Sequence, residues 1–225
     1  MNWTDALTFA RGPLFYAALL VFIGGMVYRF VSIVGLRWSS DKVKTRGSKA
    51  GGIARSFLKG ILIWPFIPWV KNTFNRNPVI YLAGGLFHLG LFTVIFLGAA
   101  HMLVWKSLIG VGWPTLPLPI VDWLAAGAIA AMIALLVHRL SHPVMRLISG
   151  PAEYLSWAMV FLPMISGYVM THHLFFAYEM AYTLHMWSVD LLLVWIPLSR
   201  ISHFLFYFFS RTIRGQEAGK RGVAA

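Results

Sequence analysis

Long apolar runs alternate with short polar ones along this chain, and the length of the apolar runs sets their solvent. About 20 predominantly apolar residues of helix cross the roughly 30 Å of hydrocarbon in a bilayer. Five runs qualify, at about 13–35, 78–105, 120–137, 152–171 and 179–209. Pro78 and Pro151 stand where a first helical residue does well, because the missing N–H has no intrahelical partner there anyway. The expected fold is all-α: one domain over residues 1–225, an integral membrane bundle of five transmembrane helices. Between the first and second runs lies the hydrophilic stretch 36–77. Its middle, 57–70, is apolar and aromatic (Leu62, Trp64, Phe66, Trp69), yet too short to span and interrupted by Pro65 and Pro68. An interfacial or re-entrant piece is expected there. No internal repeat is visible.

Composition agrees: 59% of residues are hydrophobic and 12% charged, against about a quarter charged in ordinary soluble domains. Membrane lipid is the expected surrounding. The net charge of +12 sits in the polar segments rather than on the apolar runs. Placing residues 29–76, Arg139 and Arg146, and the tail from Arg200 on one side collects 17 of the 19 basic residues, leaving Arg11 and Lys106. The positive-inside rule makes that side cytoplasmic, with the N-terminus outside and the C-terminus inside. An odd number of spans is what this orientation requires. The same placement argues against nucleic acid as the partner of the positive charge. Met1 to Arg11 lacks a basic leader and a small-residue cleavage site, so no cleavable signal peptide is expected. The absence of cysteine removes disulfides, thiolate-held iron–sulfur and zinc sites, and covalent haem attachment. A metal here is held by His, Met or carboxylate.

Four of the eight histidines fall within the runs: His88 and His101 in the second, His185 and His203 in the fifth. Polar groups in lipid are costly and mark function by default. With the second span running outward and the fifth inward, depth pairs His88 with His203 and His101 with His185. The 18-residue step from His185 to His203 is five full turns of an unbroken helix, a rise of about 27 Å. The 13-residue step from His88 to His101 gives about 20 Å and an azimuthal offset of about 140°, which tilt, local winding or a shifted haem centre must absorb. Two pairs at two depths suit two b-type haems with bis-histidine ligation, which leaves no open position and favours electron transfer. One haem, another metal, or polar contacts between helices are the alternatives. Gly84, Gly85, Gly90 and Gly98 would admit a porphyrin edge or, equally, close helix contact.

The remaining polar groups divide. His138 and His142 flank Arg139 and fit an interfacial role. His172 and His173, at the outer end of the fourth span, line a quinone pocket, release protons, or simply sit at the interface. Lys106 lies at the same outer depth and joins them as a quinone candidate. Asp190, the carboxylate deep in the fifth span, must be protonated, paired or part of a proton path. Arg200 and Arg29, at the inner depth, are placed for a haem propionate or for interfacial anchoring.

These residues fall in a recognisable pattern. Leu184-His185-Met186, followed after eighteen residues by Pro197-Leu198-Ser199-Arg200-Ile201-Ser202-His203, resembles the closing motif of the gamma subunit of respiratory nitrate reductase. Leu86-Phe87-His88-Leu89-Gly90 is similar to that family's first ligand motif, and Arg37-Trp38-Ser39-Ser40 and the Arg139 to Pro143 turn also look alike. The resemblance covers most of the chain in order. It implies a five-helix di-haem cytochrome b of a bacterial or archaeal cytoplasmic membrane, part of a respiratory oxidoreductase. It further implies electron exchange with menaquinone or ubiquinone near the outer haem, and a cytoplasmic iron–sulfur or catalytic subunit near the inner one. The family spaces its second-span ligands ten residues apart, against thirteen here, and its lysine before the third span is replaced by Asp122-Trp123. These departures point to a relative that serves a different partner subunit.

Overall fold

A computed structural model describes residues 2–35, 44–63 and 73–223. Arg37 to Ser40 of the family pattern and the aromatic stretch from Trp64 to Lys71 lie outside them. The described residues are helical throughout, with turns and loops between. Five helices are long and apolar enough to cross a membrane: Trp3–Val34, Pro78–Leu97, Leu118–Ser141, Pro151–Thr171 and Tyr178–Leu198. Along them Leu20, Leu89 and Trp123 face outward, whereas the buried positions hold Ala128, Ala181, Thr183 and Ser188. Large apolar residues outside and small ones inside is the packing of helices in lipid, where close backbone approach replaces hydrophobic burial.

In chain order the helices are α1 (Trp3–Phe9), α2 (Phe15–Val34), α3 (Lys49–Phe57), α4 (Thr73–Arg76), α5 (Pro78–Phe92), α6 (Ala99–Ile109), α7 (Leu118–Ser141), α8 (Pro143–Leu147), α9 (Pro151–Thr171), α10 (Tyr178–Leu198) and α11 (His203–Arg221). They form two compact units: Met1–Leu20 with Asn77–Trp195, and Val21–Arg76 with Ile196–Ala225. The starts follow local chemistry. Pro78 and Pro151 are the first residues of α5 and α9 as expected. Asn77 caps α5 by accepting from the Ile80 N–H at 3.1 Å, and the Glu153 carboxylate takes the Gly150 N–H at 2.8 Å. The first span bends at Ala10–Leu14, a π turn containing Pro13. Proline has no N–H for the ladder and its ring crowds the carbonyl four residues back, so the turn widens.

Two spans differ from the sequence expectation. The second does not run unbroken to 105. A π turn at Thr93–Leu97 and an extended Gly98 (φ −76°, ψ 132°) separate α5 from α6. A break at membrane depth leaves carbonyls without helical partners, and each one must be satisfied within the protein. Here Trp105 Nε1 donates to Ile95 O at 3.0 Å, Trp113 Nε1 donates to Phe96 O, and Leu116 N donates to Leu97 O at 2.9 Å. Replacing Trp105 by Phe removes one donor from this set. The expected loss is roughly 0.5–1.5 kcal/mol, the scale of a hydrogen bond in a membrane protein. A thermal melt in detergent reads it, and an unchanged melting temperature would show that the break is held without the indole.

The fifth span likewise ends at Leu198 rather than 209. Pro197 cannot donate to the ladder, and the chain passes through an extended Ser199 (φ −121°, ψ 177°) and a 3-10 turn, Arg200–Ser202, before α11 begins at His203. The Ser199 side chain accepts from Ile201 N at 3.2 Å and restarts the helical path.

In the first unit α5 and α7 meet at Gly90, where a Cβ would lie 2.4 Å from Leu124 O and 2.6 Å from Ala128 Cβ. In the second unit α3 and α11 form an antiparallel pair faced with glycine. A Cβ on Gly52 would lie 2.2 Å from Gly215 O, one on Gly219 2.3 Å from Ser48 O, and one on Gly47 2.6 Å from Gly219 O. Tyr207 closes the far end by donating to Gly60 O at 2.8 Å. The polar segment after the first span and the polar tail thus become one packed element.

Candidate functional site

The first unit brings His101 and His185 together. His101 sits one turn into α6, just beyond the Gly98 break, and His185 lies mid-way along the buried face of α10. Their ring centroids are 6.3 Å apart with the planes at 80°. Two imidazoles bound from opposite sides of one metal, at about 2.0–2.1 Å per bond, have centroids roughly 6 Å apart. The spacing therefore fits a metal ligated from both sides. The turn at Thr93–Leu97 and the extended Gly98 lie between His88 and His101, so the offset of an ideal helix does not apply to them.

Helix α9 supplies the support for His185. Ser166 Oγ donates to Leu162 O at 2.7 Å, which spends its single proton. It then accepts from His185 Nδ1, 3.2 Å away, leaving the imidazole lone pair on Nε2. Ser188 Oγ donates to the His185 carbonyl at 2.7 Å. Next to Ser166, Gly167 lets the ring come close: a Cβ there would be 3.0 Å from His185 Cε1 and 3.2 Å from Nδ1, tighter than ordinary contact. A hydrogen bond that fixes ring and tautomer is the usual support of a ligating histidine. Sequence reasoning passed over Ser166 and Gly167; the signal was a polar and a small residue side by side in an apolar span.

The other two histidines of the sequence argument divide between the units, and each is described by itself. His88, in the first, donates from Nδ1 to Gly84 O at 2.6 Å, which again places the lone pair on Nε2. Phe87 and Phe92 pack at 4.9 and 6.0 Å from its ring. Of the four glycines singled out, Gly84 and Gly85 have nothing within 4 Å of where a Cβ would be, Gly90 is a helix contact, and Gly98 is the chain break. His203, in the second unit, opens α11 and is exposed, with Nδ1 donating to Arg200 O at 3.2 Å. The expectation that His185 and His203 share one face of one helix does not hold, because the Leu198–Ser202 break intervenes. Arg29 donates to Ser202 Oγ at 2.7 Å, beside His203, so its guanidinium joins α2 to the α11 start.

Where α9 ends, His172 Nε2 lies 3.7 Å from Asp122 Oδ1, with the Tyr168 ring 4.3 Å from its own. His173, in a left-handed conformation (φ 52°), packs on Tyr178 at 5.5 Å. Lys106 is exposed in the last turn of α6. Asp190 is 3% exposed, and neither oxygen has a hydrogen-bond partner among the described residues. His138 accepts from Asn77 Nδ2 at 3.1 Å and stacks near His142 at 5.1 Å, tying the end of α7 to the cap of α5. That is a structural task, in line with the interfacial reading. Among the described residues no three His, Asp or Glu side chains converge on a point. A porphyrin, which brings four nitrogens of its own, needs only the two that His101 and His185 present.

No protein-family model and no solved structure matches the chain. It is similar to a protein of Nitratidesulfovibrio vulgaris that is named only as "Protein", with 28% identity over 218 residues, 96% of this chain and 95% of that one.

Proposed function

We propose that this chain is the membrane di-haem cytochrome b subunit of a respiratory oxidoreductase in a bacterial or archaeal cytoplasmic membrane. The observation that carries the reading is the His101–His185 pair: two imidazoles on separate helices at a metal-spanning distance, one with its Nδ1 side held by Ser166. In this reading the N-terminus is outside and the C-terminus cytoplasmic. His101 and His185 hold the outer haem, while His88 and His203 hold the inner one, with Arg200 and Arg29 near its propionates. When bound, the haems supply one-electron chemistry between a quinone and a cytoplasmic iron–sulfur or catalytic partner.

The protein's part is ligation, depth and proton handling. Imidazoles with Nδ1 held by Ser166, Gly84 and Arg200 oxygens keep Nε2 available to iron. If quinol gives up its electrons at the outer side, its protons need an acceptor there. His172, backed by Asp122 at 3.7 Å, is the acceptor we assign, with His173 and Lys106 at the same end. Asp190 is the intramembrane carboxyl left to the same path. Electrons moving inward while protons leave outside add to the membrane potential.

The test is a reduced-minus-oxidised spectrum with pyridine haemochrome quantitation on the purified protein, with His101→Ala and His203→Ala beside it. About two b haems per chain are expected, each substitution removing a different one. A chain without haem would overturn electron transfer and bring forward a transporter that uses the intramembrane histidines and Asp190. Haem that quinol fails to reduce would leave a structural anchor.

A further inference from the structure

The two rings of the His101–His185 pair are held differently. His101 has no hydrogen bond from either ring nitrogen among the described residues, whereas His185 Nδ1 lies 3.2 Å from Ser166 Oγ. His88 and His203 bond to carbonyls of their own stretch of chain, four and three residues back. Ser166 is instead a side chain of α9 that holds an imidazole carried by α10.

The surroundings limit what this bond can be. His185 is buried, so bulk water does not compete for its Nδ1. Ser166 donates to Leu162 O at 2.7 Å and accepts from the ring. Ser188 donates to the His185 carbonyl at 2.7 Å, with its Oγ 3.1 Å from Ser166 Oγ. The Pro163 carbonyl, three residues before Ser166, bonds to the same imidazole. Both acceptors given to the ring are thus uncharged oxygens. A carboxylate would accept more strongly, but a charge at this depth is costly in lipid. A hydrogen bond at the far nitrogen makes an imidazole a more basic ligand. A more basic ligand favours iron(III) over iron(II), and such bonds are one of the levers a protein has on the potential of a haem.

We propose that Ser166 is a positioning residue that sets the reduction potential of the centre between His101 and His185. It orients the His185 ring and keeps the potential below the value that an unsupported imidazole would give. The proposal rests on the reading of this pair as haem ligands and deepens it: the electron affinity of the outer haem is set from α9, a helix that supplies no ligand. Support of this kind is worth roughly 10–100-fold in metal affinity. The Pro163 carbonyl remains when Ser166 is truncated, so the effect expected here is at the low end, roughly tenfold.

Potentiometric titration of the purified protein, followed through the reduced haem bands, tests this. The outer wave is the one that His101→Ala removes. In Ser166→Ala it should move up by about 59 mV, a tenfold loss of preference for iron(III), while the other wave stays. Ser166→Thr keeps a hydroxyl that a helix accommodates, as Thr171 and Thr183 do by donating to the carbonyl four residues back. It should titrate like the parent. Ser188→Ala removes a buried hydroxyl that bonds to the His185 backbone rather than its ring, and should also leave the wave in place. An unmoved or lowered outer wave in Ser166→Ala would overturn the proposal and leave the haem assignment intact. So would an equal shift in Ser166→Thr or Ser188→Ala, because packing rather than the Nδ1 bond would then be acting. Loss of the outer haem in Ser166→Ala that Ser166→Thr restores would support the proposal through occupancy; loss in both would overturn it. A parent chain without haem sinks electron transfer, and this proposal with it.

Discussion

Gly167→Leu should cost the protein one of the two haems proposed for it, although position 167 is not among the proposed ligands. A Cβ at 167 would already stand 3.0 Å from His185 Cε1, tighter than ordinary contact, and the rest of a leucine extends further into the ring. The α9 backbone cannot withdraw freely, since Trp157 Nε1 donates to Met132 O at 2.9 Å and Trp195 Nε1 to Ser156 Oγ at 3.0 Å. The imidazole is the part that moves. A metal–nitrogen bond of about 2.0 Å tolerates shifts of only a few tenths of an ångström. Pyridine haemochrome quantitation should therefore fall from about two haems per chain to about one. The companion Gly24→Leu, where a Cβ meets nothing within 4 Å, should keep both. Leucine is the better helix former by up to about 1 kcal/mol, so loss of the α9 helix is not the competing explanation. Full haem content in Gly167→Leu would show that His185 is not an iron ligand.

The second large effect concerns stability. Gly90→Leu places a side chain where Leu124 O and Ala128 Cβ stand 2.4 and 2.6 Å from the Cβ alone. A carbonyl on a helix backbone does not rotate away, so α5 and α7 must separate. Overpacking typically costs 1–3 kcal/mol, and this site belongs at or above the top of that range. The expected outcome is a melting temperature in detergent lower by several degrees and a reduced yield of folded protein, while Gly24→Leu stays near the parent. Parental stability in Gly90→Leu would mean that α5 and α7 do not cross at Gly90.

Much of this was legible in the sequence, and the exceptions share a cause. Run length and hydropathy located the five spans, and the prolines at 78 and 151 marked two of the starts, because both signals are local. The Gly98 and Ser199 breaks escaped, since hydropathy is indifferent to backbone conformation and the apolar run continues across each. At Gly98 the stabilising donors, Trp105 and Trp113, come from later in the chain, so no local signal marks the break. At Pro197 a local signal stands in the sequence, since proline cannot donate to the helix ladder. The pairing of His101 with His185 by depth matches the 6.3 Å between their rings. Ser166 and Gly167, by contrast, gain meaning only once α9 is laid beside α10. The α3–α11 pair was invisible because its glycines lie in two segments that each read as charged loop.

That last pair also has a consequence for how the protein is made. Gly52 and Gly215 touch although 163 positions apart, with most of the membrane-embedded chain between them. At a synthesis rate of about 5–20 residues per second, α3 waits on the order of ten seconds or more for α11 to emerge. During that interval its glycine face and the buried Ser56 hydroxyl are uncovered. Closure of the pair therefore waits until the intervening chain has been synthesised, and a ribosome that stalls early leaves the α3 face open.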